Sequence, residues 1–486
     1  MTDLIKDAQS QLRELILSAM GALVAQQKIA SEALPAFNIE IPADRNHGDF
    51  SSNVALASAK PLKMAPRAIA QLIADELCLD GTYFEKCEIA GPGFMNFFLS
   101  AQWFSDVVSS IANDNENYGR TDYGQNKRVL VEFVSANPTG PMHIGNARGG
   151  AIGDCLSAVL DFAGYYVERE FYVNDAGNQI EKFGHSLECR YLQLFDDSIE
   201  MPEDCYLGSD ITDHAKAFCE ICGDKYVNCD ETERRKALVD FALPKNIAKL
   251  ESDLLKYRIK YDTWFRESTL HESGKVDEII NLFAQKGLTY EEDGAIWFKS
   301  TMFGDDKDRV LRRSNGLPTY VVPDIAYHYN KLVTRNFDIA INILGADHHG
   351  YIGRMKAAIN ALDINPDRLD VVIMQMVNLV RDGETYKLSK RSGKAVTLET
   401  LLDEIPVDAA RFFFNLREAN SHFNLDLDLA VEQSSQNPVY YVQYAHARIC
   451  SIIRNLSEDG INADALTDDM LARLTAAQER DRKSVV

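Results

Sequence analysis

The stretch Arg128-Val-Leu-Val-Glu-Phe-Val134 constrains this chain more than any other. It is apolar at nearly every position, which suits a strand buried on both faces, and such strands belong to parallel sheets covered by helices. It runs into Ser135-Ala-Asn-Pro-Thr-Gly-Pro141, where proline and glycine break the strand, and a helix starts near His143. Tyr166 to Val173 predicts a second strand. Strand, turn, helix and strand make a βαβ unit, so a parallel sheet with a ligand crevice at its carboxyl ends is expected.

The same texture returns at Phe337 to Leu344 and Asp370 to Val380, with a helix between them. Residues 181–299 are charged and mostly helical, most clearly from Asp230 to Lys260, as an inserted domain would be. The expected fold class is therefore α/β, a Rossmann-like parallel-sheet catalytic domain split by an insertion, with halves at 125–180 and 300–400. Residues 1–110 predict an α+β N-terminal domain. Leu4 to Gln27 has helical spacing, Pro66 to Leu77 starts with a proline at its tolerated position, and Glu88 to Leu99 is a turn feeding an alternating strand. Polar Asn113 to Asn126 is a linker. A helical connector at 401–432, with a short strand at Asn424 to Leu429, leads to an all-α segment at 433–486.

Length and charge narrow the classes. At 486 residues, 46% hydrophobic and 26% charged, the chain is globular and too long for one core. Acids outnumber Lys and Arg by 73 to 51, and a formal charge of −22 argues against a nucleic-acid partner. The N-terminus carries Asp3 and Asp7 where a signal peptide needs basic residues. The most apolar stretch, Val371 to Val380, contains Gln375 and Asn378 and is too short to span a bilayer. A cytoplasmic protein away from membranes is expected, with its nine cysteines reduced. Cys205, Cys219, Cys222 and Cys229, with His214, could supply soft ligands to a zinc. A second CxxC pair is missing and the spacings are irregular, so no structural zinc is expected.

Two motifs carry chemistry. Gly140, Gly145, Gly149 and Gly150 around the strand-to-helix turn let backbone approach a ligand, and the helix start offers free N–H groups and a positive dipole end to phosphate. His143 sits at its mouth. The spacing fits neither dinucleotide nor P-loop fingerprints, and tight packing is the alternative. The second motif, Lys387-Leu-Ser-Lys-Arg-Ser-Gly-Lys394, puts four cations in eight positions, which suits a polyphosphate; the alternative is a solvated loop.

Together these residues resemble a known family. Pro141-Met-His-Ile-Gly-Asn146 and Lys387-Leu-Ser-Lys-Arg391 are similar to the HIGH and KMSKS signatures of class I aminoacyl-tRNA synthetases. Val131 to Pro141, Tyr320-Val-Val-Pro-Asp-Ile-Ala-Tyr-His328, Gly345-Ala-Asp-His-His-Gly350 and Asn437 to Arg448 resemble arginyl-tRNA synthetases, in an order that begins at Gly48-Asp-Phe-Ser-Ser-Asn53. Asn146 stands where the class has its second His, Leu388 replaces Met, and Arg391 replaces the final Ser.

The resemblance implies ligation of L-arginine to its tRNA through an arginyl-adenylate, with ATP and Mg²⁺. It implies ATP contacts from Gly140, Pro141, His143, Gly145, Asn146, Lys387, Ser389 and Lys390, of which His143, Asn146, Lys387 and Lys390 act in catalysis. It implies an arginine pocket of Glu132, Ser135, Asn137, Tyr320, Asp324 and His348. A guanidinium wants carboxylates in fork geometry, and an acid inside so apolar a strand as Glu132 needs a cation. The alternative for Glu132 is an internal Arg partner, and for Asp324 a helix N-cap. Tyr441, Tyr444 and Arg448 share one helical face, and the resemblance implies that they meet the anticodon; the alternative is core packing. The N-terminal domain is implied to touch the tRNA elbow, and a monomer is expected.

Family members continue beyond the end of this chain. The residues after Asn437 make too small a bundle to cover its apolar faces, so the fourth domain is expected to be incomplete and anticodon binding weakened. Other readings are a nucleotidylyltransferase with an HxGH-type site and a non-catalytic tRNA-binding paralogue. On the tRNA reading, the −22 averages an acidic exterior with local basic groups at Lys387 to Lys394, Arg312-Arg313 and Arg448.

Overall fold

The computed structural model describes residues 4–30, 35–386, 396–462, 467–471 and 473. The chain forms two compact units, residues 1–121 with 449–486, and residues 122–448. In the first, a long helix, Leu4–Ala25, buries Leu12, Ile16, Met20 and Leu23 at helical spacing. It packs with the helix Pro66–Glu76 in the same core as a four-stranded antiparallel sheet, ordered Ile39–Glu40, Phe50–Ser52, Phe94–Leu99, Phe84–Ala90. The predicted helices and alternating strand are present. The linker begins later than expected, because the helix Ala101–Asp114 extends to its first residues.

The second unit is built on a five-stranded parallel sheet. Its strands are β1 (Arg128–Glu132), β2 (Tyr166–Val173), β3 (Thr263–Arg266), β4 (Ile339–Gly345) and β5 (Leu369–Met374). Their spatial order is β5-β4-β1-β2-β3, so β1 is central. The alternation along β1 sends Val129, Val131 and Phe133 into one core, while Glu132 faces the other side. Helix α1 (Ile144–Phe162) crosses from β1 to β2, as the βαβ pattern requires.

Three features differ from the sequence reading. The run Asp370 to Val380 is two strands, not one. It breaks at Gln375, whose N–H bonds the carbonyl of Ala419, and Val377–Arg381 joins a separate sheet with Glu384–Thr385 and Phe423–Asp426. Arg148, wholly buried on α1, holds this break by donating to the carbonyls of Gln375 (2.8 Å), Glu418 (2.9 Å) and Ser421 (3.1 Å). Helices α2 (Gly177–Leu192), Ser209–Cys222 and Glu231–Lys256 form the helical part of 181–299, yet β3 from the same stretch is an edge strand of the main sheet. A further antiparallel sheet of Thr289–Glu292, Ala295–Phe298 and Arg309–Arg312 follows.

Candidate active site

The chain leaves β1 in a strained conformation. Val134 and Ser135 have φ of +70° and +41°, sparsely populated for any side chain and least of all for a β-branched one. The strain turns Ser135 back, so that its Oγ donates to the Glu132 carboxylate at 3.0 Å and accepts from the N–H of Tyr172 at 3.1 Å.

Asn342, Glu132 and Glu170 are register partners on β4, β1 and β2, so three polar side chains form one row across the sheet. Helix α3 (Val321–Tyr329) and the π-type turn Asn330–Thr334 behind it supply their partners. Lys331, wholly buried, bonds Glu132 and donates to Asn342 Oδ1 at 3.2 Å. Arg335, four residues on, pairs with Glu170 and Glu168. His328 is neutral. Burial pushes its imidazole down to about 3 with help from Lys331, while Nδ1–H donates to the Asp324 carbonyl (2.8 Å) and Nε2 accepts from Asn342 Nδ2 (3.2 Å). Glu132 therefore has an internal cation, as its alternative reading required, and the cation is a lysine.

Asp324 is different. It lies in the first turn of α3, whose N-cap is Tyr320, so the N-cap alternative does not hold. Among the described residues its carboxylate accepts no hydrogen bond. Its carboxyl is pushed up to about 7, by burial first and then by the charges of Glu267 and Glu132, against weaker help from Arg354 and Lys331. The hydroxyls of Tyr172 and Tyr351, both raised by burial, lie in the field of Asp324 and Glu132. The result is an acidic recess at the carboxyl end of the central strand. Tyr320, 71% exposed, starts the same helix, and exposed His348 packs its ring on the edge of Tyr351 (6.3 Å). Asn137 is exposed beyond Ser135.

On the other branch of the turn, His143 is the exposed N-cap of α1. Asn146 Oδ1 accepts from the His143 N–H at 3.0 Å, so this residue fixes the helix start. Backbone bonds tie the turn to the residues after the basic loop. Ile144 N–H donates to the Val396 carbonyl (3.0 Å) and Leu398 N–H to Met142 (2.8 Å). Lys387, Ser389 and Lys390 lie outside the described residues. The glycines divide into two kinds. Gly145 opens onto free space and a Cβ at Gly140 would only touch the Asp210 carboxylate at 3.9 Å, whereas a Cβ at Gly150 would meet Ile259 at 2.8 Å and one at Gly149 Met374 at 3.5 Å, so these two serve packing.

Tyr441 and Tyr444 are 61% and 50% exposed on α4 (Pro438–Glu458), and Arg448 lies 5.9 Å over the Tyr444 ring. Among the described residues, none of these three packs into a core. Val442, Ile449 and Ile452 on the same helix are also exposed. Glu267, Tyr172, Tyr351 and Lys331 were missed in the sequence. An alternating run, Tyr261-Asp-Thr-Trp-Phe-Arg266, announces β3 and so Glu267, but it sits inside a stretch taken as helical.

A parallel sheet with a phosphate-seeking turn on its central strand is the frame of a class of ligases. Residues 107–453 match the family described as tRNA synthetases class I (R), catalytic domain, and residues 10–99 match the arginyl tRNA synthetase N terminal domain. An arginine–tRNA ligase of Caldanaerobacter subterraneus subsp. tengcongensis is 52% identical over 99% of this chain and 86% of its own length. One of Acetivibrio thermocellus is 50% identical over 99% and 85%. The Thermus thermophilus arginyl-tRNA synthetase structure, 19% identical over 97% of this chain and 84% of that one, shares the fold with a TM-score of 0.64. This chain belongs to the arginyl-tRNA synthetase family.

Proposed function

We propose that the chain joins L-arginine to its cognate tRNA at the expense of ATP, with the guanidinium held in the acidic recess around Asp324. The observation that supports this is a half-buried carboxyl with no hydrogen-bonded cation among the described residues, flanked by Glu267 and Glu132 beside the strained end of β1. An arginine side chain supplies the missing charge in a planar fork and lets Asp324 ionise. Lys331 already neutralises Glu132, so Asp324 and Glu267 take the guanidinium. Ser135, Asn137, Tyr320 and His348 line the approach.

ATP, as its magnesium chelate, lies along the His143 turn. Gly140, Pro141 and Gly145 leave room for it, and His143 donates to phosphate. Lys387 and Lys390, with Ser389, hold the β- and γ-phosphates. A carboxylate oxygen of arginine attacks the α-phosphorus in line, and the bond to the bridging oxygen breaks to release pyrophosphate. A ribose hydroxyl at the tRNA 3′ end then attacks the adenylate carbonyl; AMP leaves, and the hydroxyl proton departs with it to solvent. Neither step needs a protein nucleophile; positioning and charge stabilisation suffice. Asn146 acts by holding the turn. Tyr441, Tyr444 and Arg448 offer stacking faces and a cation to tRNA bases. The chain acts in the cytoplasm as a monomer.

ATP–pyrophosphate exchange, run with each amino acid and with or without tRNA, tests this reading. Exchange with arginine alone, and only when tRNA is present, is expected. Strong exchange without tRNA, or none under any condition, would overturn it.

A further inference from the structure

Away from this site, the helical part of the insertion brings together three groups that bind soft metals. His185 and Cys189 lie one turn apart on α2, and Cys205 comes from the loop that follows. Their ligand atoms all fall within 4.8 Å of one another, with Cys205 Sγ 3.9 Å from His185 Nδ1. In a tetrahedral zinc site, with Zn–S near 2.3 Å and Zn–N near 2.0 Å, ligand atoms sit roughly 3.5–3.8 Å apart. The cluster therefore needs only a slight contraction.

The loop that carries Cys205 is held in place independently. It returns along α2 and is fastened at one residue per turn. Gln193 Nε2 donates to the Ile199 carbonyl (2.6 Å), Lys182 pairs with Asp204 (3.4 Å), Ser186 Oγ accepts from the Tyr206 N–H (2.8 Å), and the Tyr206 hydroxyl bonds Gln179. Gln179, Lys182, Ser186, Cys189 and Gln193 follow the three-and-four spacing of one helix face. These contacts place Cys205 over Cys189 and His185.

Of the cysteines singled out by the sequence, Cys205 joins this cluster and the others do not. Cys219 and Cys222 pack on the apolar cluster of the insertion, His214 is bound to Asn246 (2.7 Å), and Cys229 Sγ donates to the Tyr226 carbonyl (3.2 Å).

We propose that His185, Cys189 and Cys205 bind a zinc-class divalent cation, with water as the fourth ligand, and that it clasps the 199–206 loop to α2. Two thiolates and one neutral imidazole select such an ion over magnesium or calcium. Binding releases the two thiol protons to solvent.

The test uses the whole chain, reduced, stripped by chelator and titrated with Co²⁺. Uptake of about one equivalent with thiolate-to-cobalt charge-transfer absorption is expected, reversed by Zn²⁺, along with protection of two cysteines from a thiol reagent. Cys205→Ser should lose most of that absorption and weaken uptake roughly 100-fold, whereas Cys222→Ser should match the native chain. Absence of thiolate–cobalt absorption in the native chain overturns the proposal without reference to any variant. So does absorption that survives Cys205→Ser in a chain with native circular dichroism, or a Cys189–Cys205 disulfide in the isolated chain with no metal uptake after reduction.

Discussion

At Asp324 the fold sets a carboxyl beside two other acids, Glu267 and Glu132, with Arg354 and Lys331 as weaker counter-charges. Its folded pKa near 7 lies above the ordinary carboxylate value, so between about pH 4 and 7 the folded chain holds a proton that the unfolded chain has lost. In the absence of arginine, this residue's contribution to stability falls as pH rises through that window. Arginine binds the ionised form, so its affinity should rise through the same window and level off above pH 7. At fixed arginine, the ligand-induced rise in Tm should be larger at pH 8 than at pH 6; an equal rise would remove Asp324 from the pocket. Lys331→Met should destabilise by about 3–5 kcal/mol in chemical denaturation, since it strands Glu132 in the core. The need for a cation beside Glu132 was legible in the strand around it. Which cation meets it was not, because Lys331 lies 199 residues away and only the π-type turn behind α3 brings it home.

Helix α1 carries two duties that separate along its length. Near its start, Gly145 faces open space, while further on a Cβ at Gly153 would come within 2.2 Å of the Phe133 ring. Gly145→Ala should leave Tm unchanged or slightly higher, by at most about 1 kcal/mol of helix propensity, yet raise the ATP KM by roughly ten-fold. Gly153→Ala should do the reverse, losing about 1–3 kcal/mol through overpacking with a nearly unchanged ATP KM. Both glycines raising KM alone would contradict this division. The βαβ unit itself was plain in the sequence because its strands are continuous apolar runs. The break at Gln375 was hidden for the same reason: apolar residues continue across it, and only Arg148, a distant buried guanidinium, shows why the chain turns there. The acidic recess was half legible, with Asp324 and Ser135 carried by resemblance and Glu267 lost just past an alternating strand too short to stand out.

For the molecule as a whole, a charge of −22 sits on a chain whose family acts on tRNA. The acids are not all surface charge. Glu132, Glu170 and Glu188 are buried and paired, and Arg312, one of the basic groups expected to greet phosphate, is engaged by Asp277. These buried acids are neutralised by internal cations and do not set the surface field, so net charge says little about the polyanion. The claim that most depends on this account is that the recess recognises positive charge. The direct measurement is tRNA charging with arginine and with citrulline, its neutral isostere, by the native chain and by Asp324→Asn. The account predicts a strong native preference for arginine that falls by roughly 10–100-fold in the variant, the worth of one charge-assisted pair. A preference left unchanged by Asp324→Asn would contradict it.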